Sequence, residues 1–322
     1  MTGVAEHRHR MNKSIYGDPG FLICGSQSRA ADDWTLRTIF GVPAAVRSSI
    51  LFGHSRVCDL AQRATQRLLG GPRATCIQYT EGPVKGSRFN CFTSEKYFLL
   101  GTKYEMEIRA MASRLCGPGT VAYEIGAHAG YWALFLSRIC SGKGRVFAFE
   151  PSKQNFQRLL DNLRLNVTSN VTPINRAVSE MEGTLPFEEA GSRSKVIREG
   201  SRPDGTFTTV ASMRLDDFVF REVHPLPALI LMDVEGHGGK VLRGAKCVLR
   251  WGKPNILCEI HDSVEEKEIV AELKAAGYTT KTLSFARSYP KHVLCAPRAV
   301  NQARVRERTI RPRLATVSCA FA

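Results

Sequence analysis

The sequence predicts an α/β fold, an open doubly wound sheet, mostly parallel, with helices on both faces. Three observations predict it. Strand-like and helix-like segments alternate from Thr120 to about Ala296, the pattern that right-handed strand–helix–strand crossovers produce. The strand-like segments, such as "RVFAFE" ending at Glu150, are nearly continuous apolar runs, as strands buried on both faces are. Their carboxyl ends, where open sheets of this kind bind ligands, carry Glu124, Glu150, Asn175 to Ser179, Asp233 to Gly236 and Glu259 to Asp262. That set is rich in acids and poor in Lys and Arg, which argues against a nucleotide phosphate as the occupant.

The elements follow in order. Residues 1–30 are polar and aperiodic and are expected to be disordered. Residues 31–100 form a separate appendage, helical over 32–70 with a break at "GVP", then a small hairpin between Ala74 and Leu100. "KYEMEIRAMASRL" places Tyr104, Ile108, Met111 and Leu115 on one helical stripe. The main domain spans 101–297. "TVAYEIG" is its first strand and "YWALFLSRIC" the helix behind it; "RVFAFE" is the second strand. Ser152 caps a helix with Phe156, Leu159, Leu160 and Leu163 on one face. "NVTPINRAVS" is a third strand, and the polar, Gly-containing piece from Glu188 to Thr206 reads as a surface excursion. "ALILMDVEG" and "NILCEIHD" are the fourth and fifth strands. A capping box of Ser263 with Glu266 opens the helix after the fifth, and "YTTKTLS" and "KHVLCAP" close the domain as a hairpin, which predicts one antiparallel edge strand. Residues 298–322 are a basic tail.

The net charge of +15 is unevenly spread. Residues 1–100 hold 13 Lys+Arg against 7 Asp+Glu, residues 101–283 hold 24 against 22, and residues 284–322 hold 8 against 1. A nucleic-acid enzyme carries its positive field around its own active site, whereas here the predicted domain is almost neutral. No specific nucleic-acid partner is expected, and the basic ends suit at most a weak contact with anionic surfaces. Ten cysteines are scattered without C-x-x-C spacing and read as reduced thiols. With no apolar leader pattern at the start and no membrane-spanning run, the expected location is cytoplasmic.

"EIGAHAG" and "FAFEPS" carry the first chemistry. Glycines follow the first strand, where the backbone is expected to come close to something bound. Glu150 ends the second strand, where an acid can take both hydroxyls of a ribose. The loop lacks the G-x-G-x-x-G phosphate turn, and Glu124 would repel a pyrophosphate but suit an ammonium group. Ribose plus a positively charged amino-acid end describes S-adenosylmethionine. The cofactor set is therefore Glu124, Gly126, Ala127, His128, Gly130, Glu150 and Ser152. The plainer alternative is that the glycines serve only a tight turn and Glu150 is a surface acid.

"LMDVEGH" and "CEIHD" bring Asp233, Glu235, His237, Glu259, His261 and Asp262 to the ends of adjacent central strands. The catalytic candidates are Asp233, His261, Glu235 and Glu259. An alcohol attacking a sulfonium methyl must lose its proton, and His261 is the expected acceptor, oriented by Asp233. A hard cation such as Mg²⁺ held by the carboxylates is the second reading; no ligand spacing is diagnostic, and no metal ligand is assigned.

Together, "EIGAHAGYWALFLSR", "GRVFAFEPSKQNFQRLLDNLRLN", "LMDVEGHGGKVLRGA" and "ILCEI" resemble the FkbM family of S-adenosylmethionine-dependent methyltransferases, in the family's order, over roughly Gly101 to Leu283. The resemblance implies the Rossmann-like doubly wound sheet of class I methyltransferases and O-methylation of a hydroxyl on a small molecule, sugar or glycan. It places the family's first motif on Glu124, Gly126, Ala127 and Gly130, the ribose acid on Glu150 and the D-V-E-G motif on Asp233 to Gly236. Three positions depart from the pattern: Glu124 stands where Asp is usual, His128 where Asn is common, and Gly238 where D-V-E-G-x-E has Glu. Three other functions stay open: an RNA methyltransferase, a nicotinamide-dependent dehydrogenase and a degenerate, non-catalytic cofactor-binding protein.

Overall fold

The computed structural model describes residues 21–24, 64, 74–95, 105–198, 200, 206–283 and 289–298. The helical unit expected over 32–70 and the basic tail lie outside these, apart from Ala64 and Arg298. The first part of the chain gives β1 (Phe21–Ile23), β2 (Ala74–Tyr79), β3 (Arg88–Phe92), α1 (Met106–Leu115), β4 (Val121–Ile125), α2 (Tyr131–Cys140), β5 (Arg145–Phe149), α3 (Lys153–Leu165) and β6 (Val171–Ile174). There follow β7 (Ala177–Val178), β8 (Gly183–Glu189), β9 (Lys195–Val196), β10 (Thr206–Met213), β11 (Leu229–Met232), α4 (Gly238–Arg243), β12 (Asn255–Ile260), α5 (Ser263–Ala275), β13 (Tyr278–Thr282) and β14 (Lys291–Pro297).

Seven strands form the central sheet in the order β13-β14-β12-β11-β4-β5-β6. Strands β12, β11, β4, β5 and β6 run parallel, and β14 is antiparallel to both its neighbours. The antiparallel strand therefore lies one place in from the edge rather than at it, and β13 closes that side. Strand β14 pairs with β12 on one side and with β13 on the other. Two apolar layers flank the sheet, one including Ala122, Phe135, Leu136, Leu159 and Leu231, the other Tyr123, Ile125, Phe149, Ile230 and Ile256. Successive residues of β4 and β11 alternate between them, as a strand buried on both faces requires.

Two departures matter for the site. Phe21–Ile23, expected to be disordered, pairs with Ile77–Tyr79 in a three-stranded antiparallel sheet with β3. This sheet is no detached appendage: Ile77, Tyr79 and Phe89 share a core with Tyr131 of α2. Asn162 of α3, buried, ties it down, accepting from Asn90 N at 2.7 Å and donating to the carbonyls of Asn90 and Ala129. Second, the polar excursion is partly ordered as a small sheet, β7-β10-β8-β9, with its own core of Ala177, Phe187 and Val210. Among the described residues no helix is long and apolar enough to cross a membrane.

Candidate functional site

A cleft opens at the carboxyl ends of β4, β5 and β11, walled on one side by the small sheet. Gly126, His128, Glu150, Phe187, Asp233 and Glu235 are among the residues lining it. The glycine loop between β4 and α2 forms its floor through directed backbone hydrogen bonds. Gly126 N and Ala127 N both donate to Phe149 O at 2.9 Å, which holds the loop to the end of β5. Gly126 has φ +92°, and a Cβ there would sit 1.8 Å from the Asp233 carbonyl oxygen; at Gly130, φ +88°, a Cβ would meet Leu159 at 2.6 Å. Both glycines are thus required by close approach of the protein to itself. The expectation that they make room for a bound group is not needed to explain them.

Between the glycines His128 adopts a left-handed conformation, φ 48°. Asn, which is common at this place in the family, tolerates that region for the same reason His does. The His128 backbone N–H donates to Glu150 Oε2 at 2.7 Å, and Ser152 N donates to Glu150 Oε1 at 2.9 Å. Glu150 is thus held at both oxygens, and each oxygen keeps a further lone pair for a ligand donor. Burial raises its pKa to about 7, against the lowering effect of those two N–H groups and the Asn155 side chain. Ser152 Oγ caps α3, accepting from Asn155 N at 3.2 Å, and donates to Glu189. Glu124, 1% exposed, keeps Oε2 without a hydrogen-bond partner. Burial, with the Glu150 charge added, holds its carboxyl well above the usual range.

The ends of β11 and β12 present a different kind of construction. His261 Nε2 stands 3.2 Å from Asp233 Oδ1, 3.5 Å from Glu235 Oε2 and 3.8 Å from Glu259 Oε1, and its Nδ1 is 3.4 Å from Glu265 Oε2. Burial disfavours the imidazolium, but the close carboxylates of Asp233, Glu265 and Glu235 outweigh it, and the pKa rises to about 11. A proton held this firmly argues against His261 as a near-neutral general base. The acids that gather around it are the physical reason. His237 is the opposite case. Burial and the Lys240 charge push it down to about 4, so it is neutral, with Nε2 3.0 Å from Ser179 Oγ.

Glu265 explains Gly238. It is fully buried and accepts from Gly238 N at 3.0 Å and His261 N at 2.8 Å. A Cβ on Gly238 would meet Ile269 at 2.6 Å and Glu265 Oε1 at 3.0 Å. Any side chain at position 238 would therefore crowd Ile269 and Glu265 of α5. The cap of α5 is also other than expected: Asp262, not Ser263, accepts from Val264 N and Glu265 N. No reciprocal box forms with Glu265, whose oxygens accept from His261 N and Gly238 N.

Of the expected cofactor set, Gly126, His128 and Glu150 line the cleft, while Ala127, Gly130 and Ser152 shape or brace the loop from behind. Asp233 and Glu235 share that cleft; Glu259 lines a neighbouring one together with Asp233, Glu105 and His292. Sequence reasoning missed Glu105, His292, Glu265 and Lys195; Lys195 joins Arg176, which lay within the strand-end set, to put cations in a cleft expected to have few. The spacing of β14 behind β12 was the only signal for His292, and it depends on strand order.

This sheet order, with an antiparallel strand beside β12 and the cleft over β4 and β5, defines a class I methyltransferase fold. Residues 124–280, just under half of the chain, match the Methyltransferase FkbM domain model. It is 31% identical over 171 residues to the hexuronic acid methyltransferase AglP of Haloferax volcanii, a match covering 52% of this chain and 66% of that protein, just under two thirds. Among solved structures it is similar to methyltransferase FkbM from Methylobacillus flagellatus KT, with 19% identity and a TM-score of 0.43, covering 56% of this chain and 44% of that one. It is also similar to SMU.1697c from Streptococcus mutans, a putative methyltransferase in complex with SAH, with 12% identity and a TM-score of 0.40, covering 60% of this chain and 96% of that one.

Proposed function

We propose that the chain transfers a methyl group from S-adenosylmethionine to a hydroxyl oxygen of a carbohydrate, with a sugar acid as the favoured acceptor. The observation that carries this reading is the single cleft in which Gly126, His128 and Glu150 face Asp233 and Glu235. The residues fit the cofactor: Glu150, braced at both oxygens, offers its remaining acceptor capacity to ribose hydroxyls. The buried, unpartnered Glu124 oxygen suits a positive group. When bound, S-adenosylmethionine supplies an electrophilic methyl group.

The chain's own residues must then hold the acceptor and remove its proton, because an aliphatic hydroxyl stays protonated at neutral pH. Asp233 orients the hydroxyl and Glu235 accepts the proton. The His261 imidazole lies within 3.5 Å of both carboxylates. The carbohydrate acceptor is supported by the relative named for hexuronic acid methylation. Glu265 supplies a carboxylate beside Gly238, which favours a working enzyme over a degenerate one.

The test is methyl transfer from labelled S-adenosylmethionine to glycans with and without uronic acid. The expected product is labelled, stable to mild alkali and formed from the uronic-acid glycan. A label released by mild alkali would mark a methyl ester and overturn the hydroxyl reading; transfer to RNA alone would overturn the acceptor class.

A further inference from the structure

We infer that Asp233, Glu259 and His261 bind a divalent transition-metal ion at the carboxyl edge of β11 and β12. One donor atom from each lies within 4.8 Å of the others. The contacts themselves argue for a cation. A single Nε2–H can point at one acceptor, yet three carboxylate oxygens surround it at 3.2, 3.5 and 3.8 Å. The nearest, Asp233 Oδ1, is buried and receives no well-directed hydrogen bond despite its distance. A hydrogen bond needs a direction, and a metal ion does not.

The dimensions suit an ion. Bonds of ~2.1 Å give donor–donor edges of ~3.0 Å in an octahedron and ~3.4 Å in a tetrahedron. The 3.2 Å from His261 to Asp233 and 3.8 Å to Glu259 need little contraction to match. Glu259 is held from its other side, with Oε2 3.3 Å from His292 Nε2, which leaves Oε1 turned toward His261. One imidazole with two carboxylates selects ions of the Mn²⁺ to Zn²⁺ class over Mg²⁺ and Ca²⁺, which take oxygen alone.

The role of the ion rests on the methyltransferase reading above. Asp233 lines both the cofactor cleft and the neighbouring cleft of Glu105, Glu259 and His292, so an ion on it stands where acceptor and donor meet. The hold of Asp233 on the acceptor then runs through the ion, which acidifies the hydroxyl. The O–H proton passes to Glu235, the oxygen pair forms the bond to the methyl carbon, and the carbon–sulfur pair stays on sulfur as the neutral thioether leaves.

The experiment uses the full chain, stripped with chelator and dialysed against Mn²⁺ or Co²⁺. One ion per chain is expected, with magnetic coupling to an imidazole nitrogen in the Mn²⁺ spectrum. Glu259→Gln should weaken binding at least 10-fold, His261→Ala should abolish the coupling, and Glu150→Ala should leave the ion in place. No retained ion, an ion without imidazole coupling, or binding indifferent to His261→Ala overturns the inference; if a variant fails to fold, the coupling in the unaltered chain decides. S-adenosylhomocysteine affinity, measured on the metal-free chain, separates the two claims. Cofactor binding without metal binding refutes the ion alone, and metal binding without cofactor binding refutes the methyltransferase reading while the site stands.

Discussion

The two halves of the site are built differently. At the ends of β4 and β5, Glu150 is fixed by two backbone N–H groups, at 2.7 and 2.9 Å, and the loop that supplies one of them is pinned to Phe149 O. At the ends of β11 and β12, His261 stands among four carboxylates at 3.2 to 3.8 Å, held by charge more than by direction. The first half is preorganised for a group with defined donor positions; the second concentrates negative charge where a proton must be removed. Glu150 lines the same cleft as Asp233 and Glu235, while Glu259 lines the neighbouring one.

The largest effect should come from breaking the chemical half. Asp233→Asn and Glu235→Gln are each expected to lower turnover by about 10²-fold or more, read by initial rates with a transferable glycan, while S-adenosylhomocysteine affinity stays put. A fall in affinity matching the fall in rate would mean the halves are one unit.

Next is the backbone seam between the halves. Gly126→Ala forces a Cβ to within 1.8 Å of the Asp233 carbonyl at a positive φ, so a loss on the order of 3 kcal/mol or more is expected. Chemical denaturation measures it. A near-neutral result would mean the loop can move off β11.

The buried acid of the binding half sets a pH dependence of similar size. Burial raises Glu150 to about 7 in the fold from the ordinary 4.5 of a free carboxyl. A raised carboxyl pKa favours the protonated fold, so its contribution is fully present below about 4.5 and lost as pH rises through about 7. The ligand-free chain should lose on the order of 3 kcal/mol across that window, and Glu150→Gln should flatten the profile there. Melting curves from pH 4.5 to 7.5 decide it. Smallest of all, removing residues from Asn301 onward should leave cofactor affinity unchanged, because the cleft is built from residues 125 to 237.

The strand-end positions of both halves were legible in the sequence, whereas the surroundings of His261 were legible only in part. Strands such as Arg145–Phe149 are apolar throughout because both faces are buried, and that pattern places Glu150 at a strand end without knowledge of contacts. The small sheet was missed because β8 and β9 carry few apolar residues and one of the buried positions is the acid Glu188, beside Phe187. His261 was visible as a residue, but its protonation was not. That depends on Glu265 reaching back from α5, and on strand β11 setting Asp233 and Glu235 beside it. His292 reaches the site because β14 pairs with β12 and sets it opposite Glu259, and Glu105 reaches it from the start of α1, arrangements that no local periodicity encodes.

The central claim is that Glu150 holds the cofactor while Asp233 does not. Calorimetric titration of S-adenosylhomocysteine into Glu150→Ala and Asp233→Asn, side by side with the unaltered chain, tests it most directly. Loss of a charge-assisted pair of hydrogen bonds should cost Glu150→Ala about 1.5–3 kcal/mol of binding, with Asp233→Asn unchanged. Full affinity in Glu150→Ala, or an equal loss in both variants, would contradict the account.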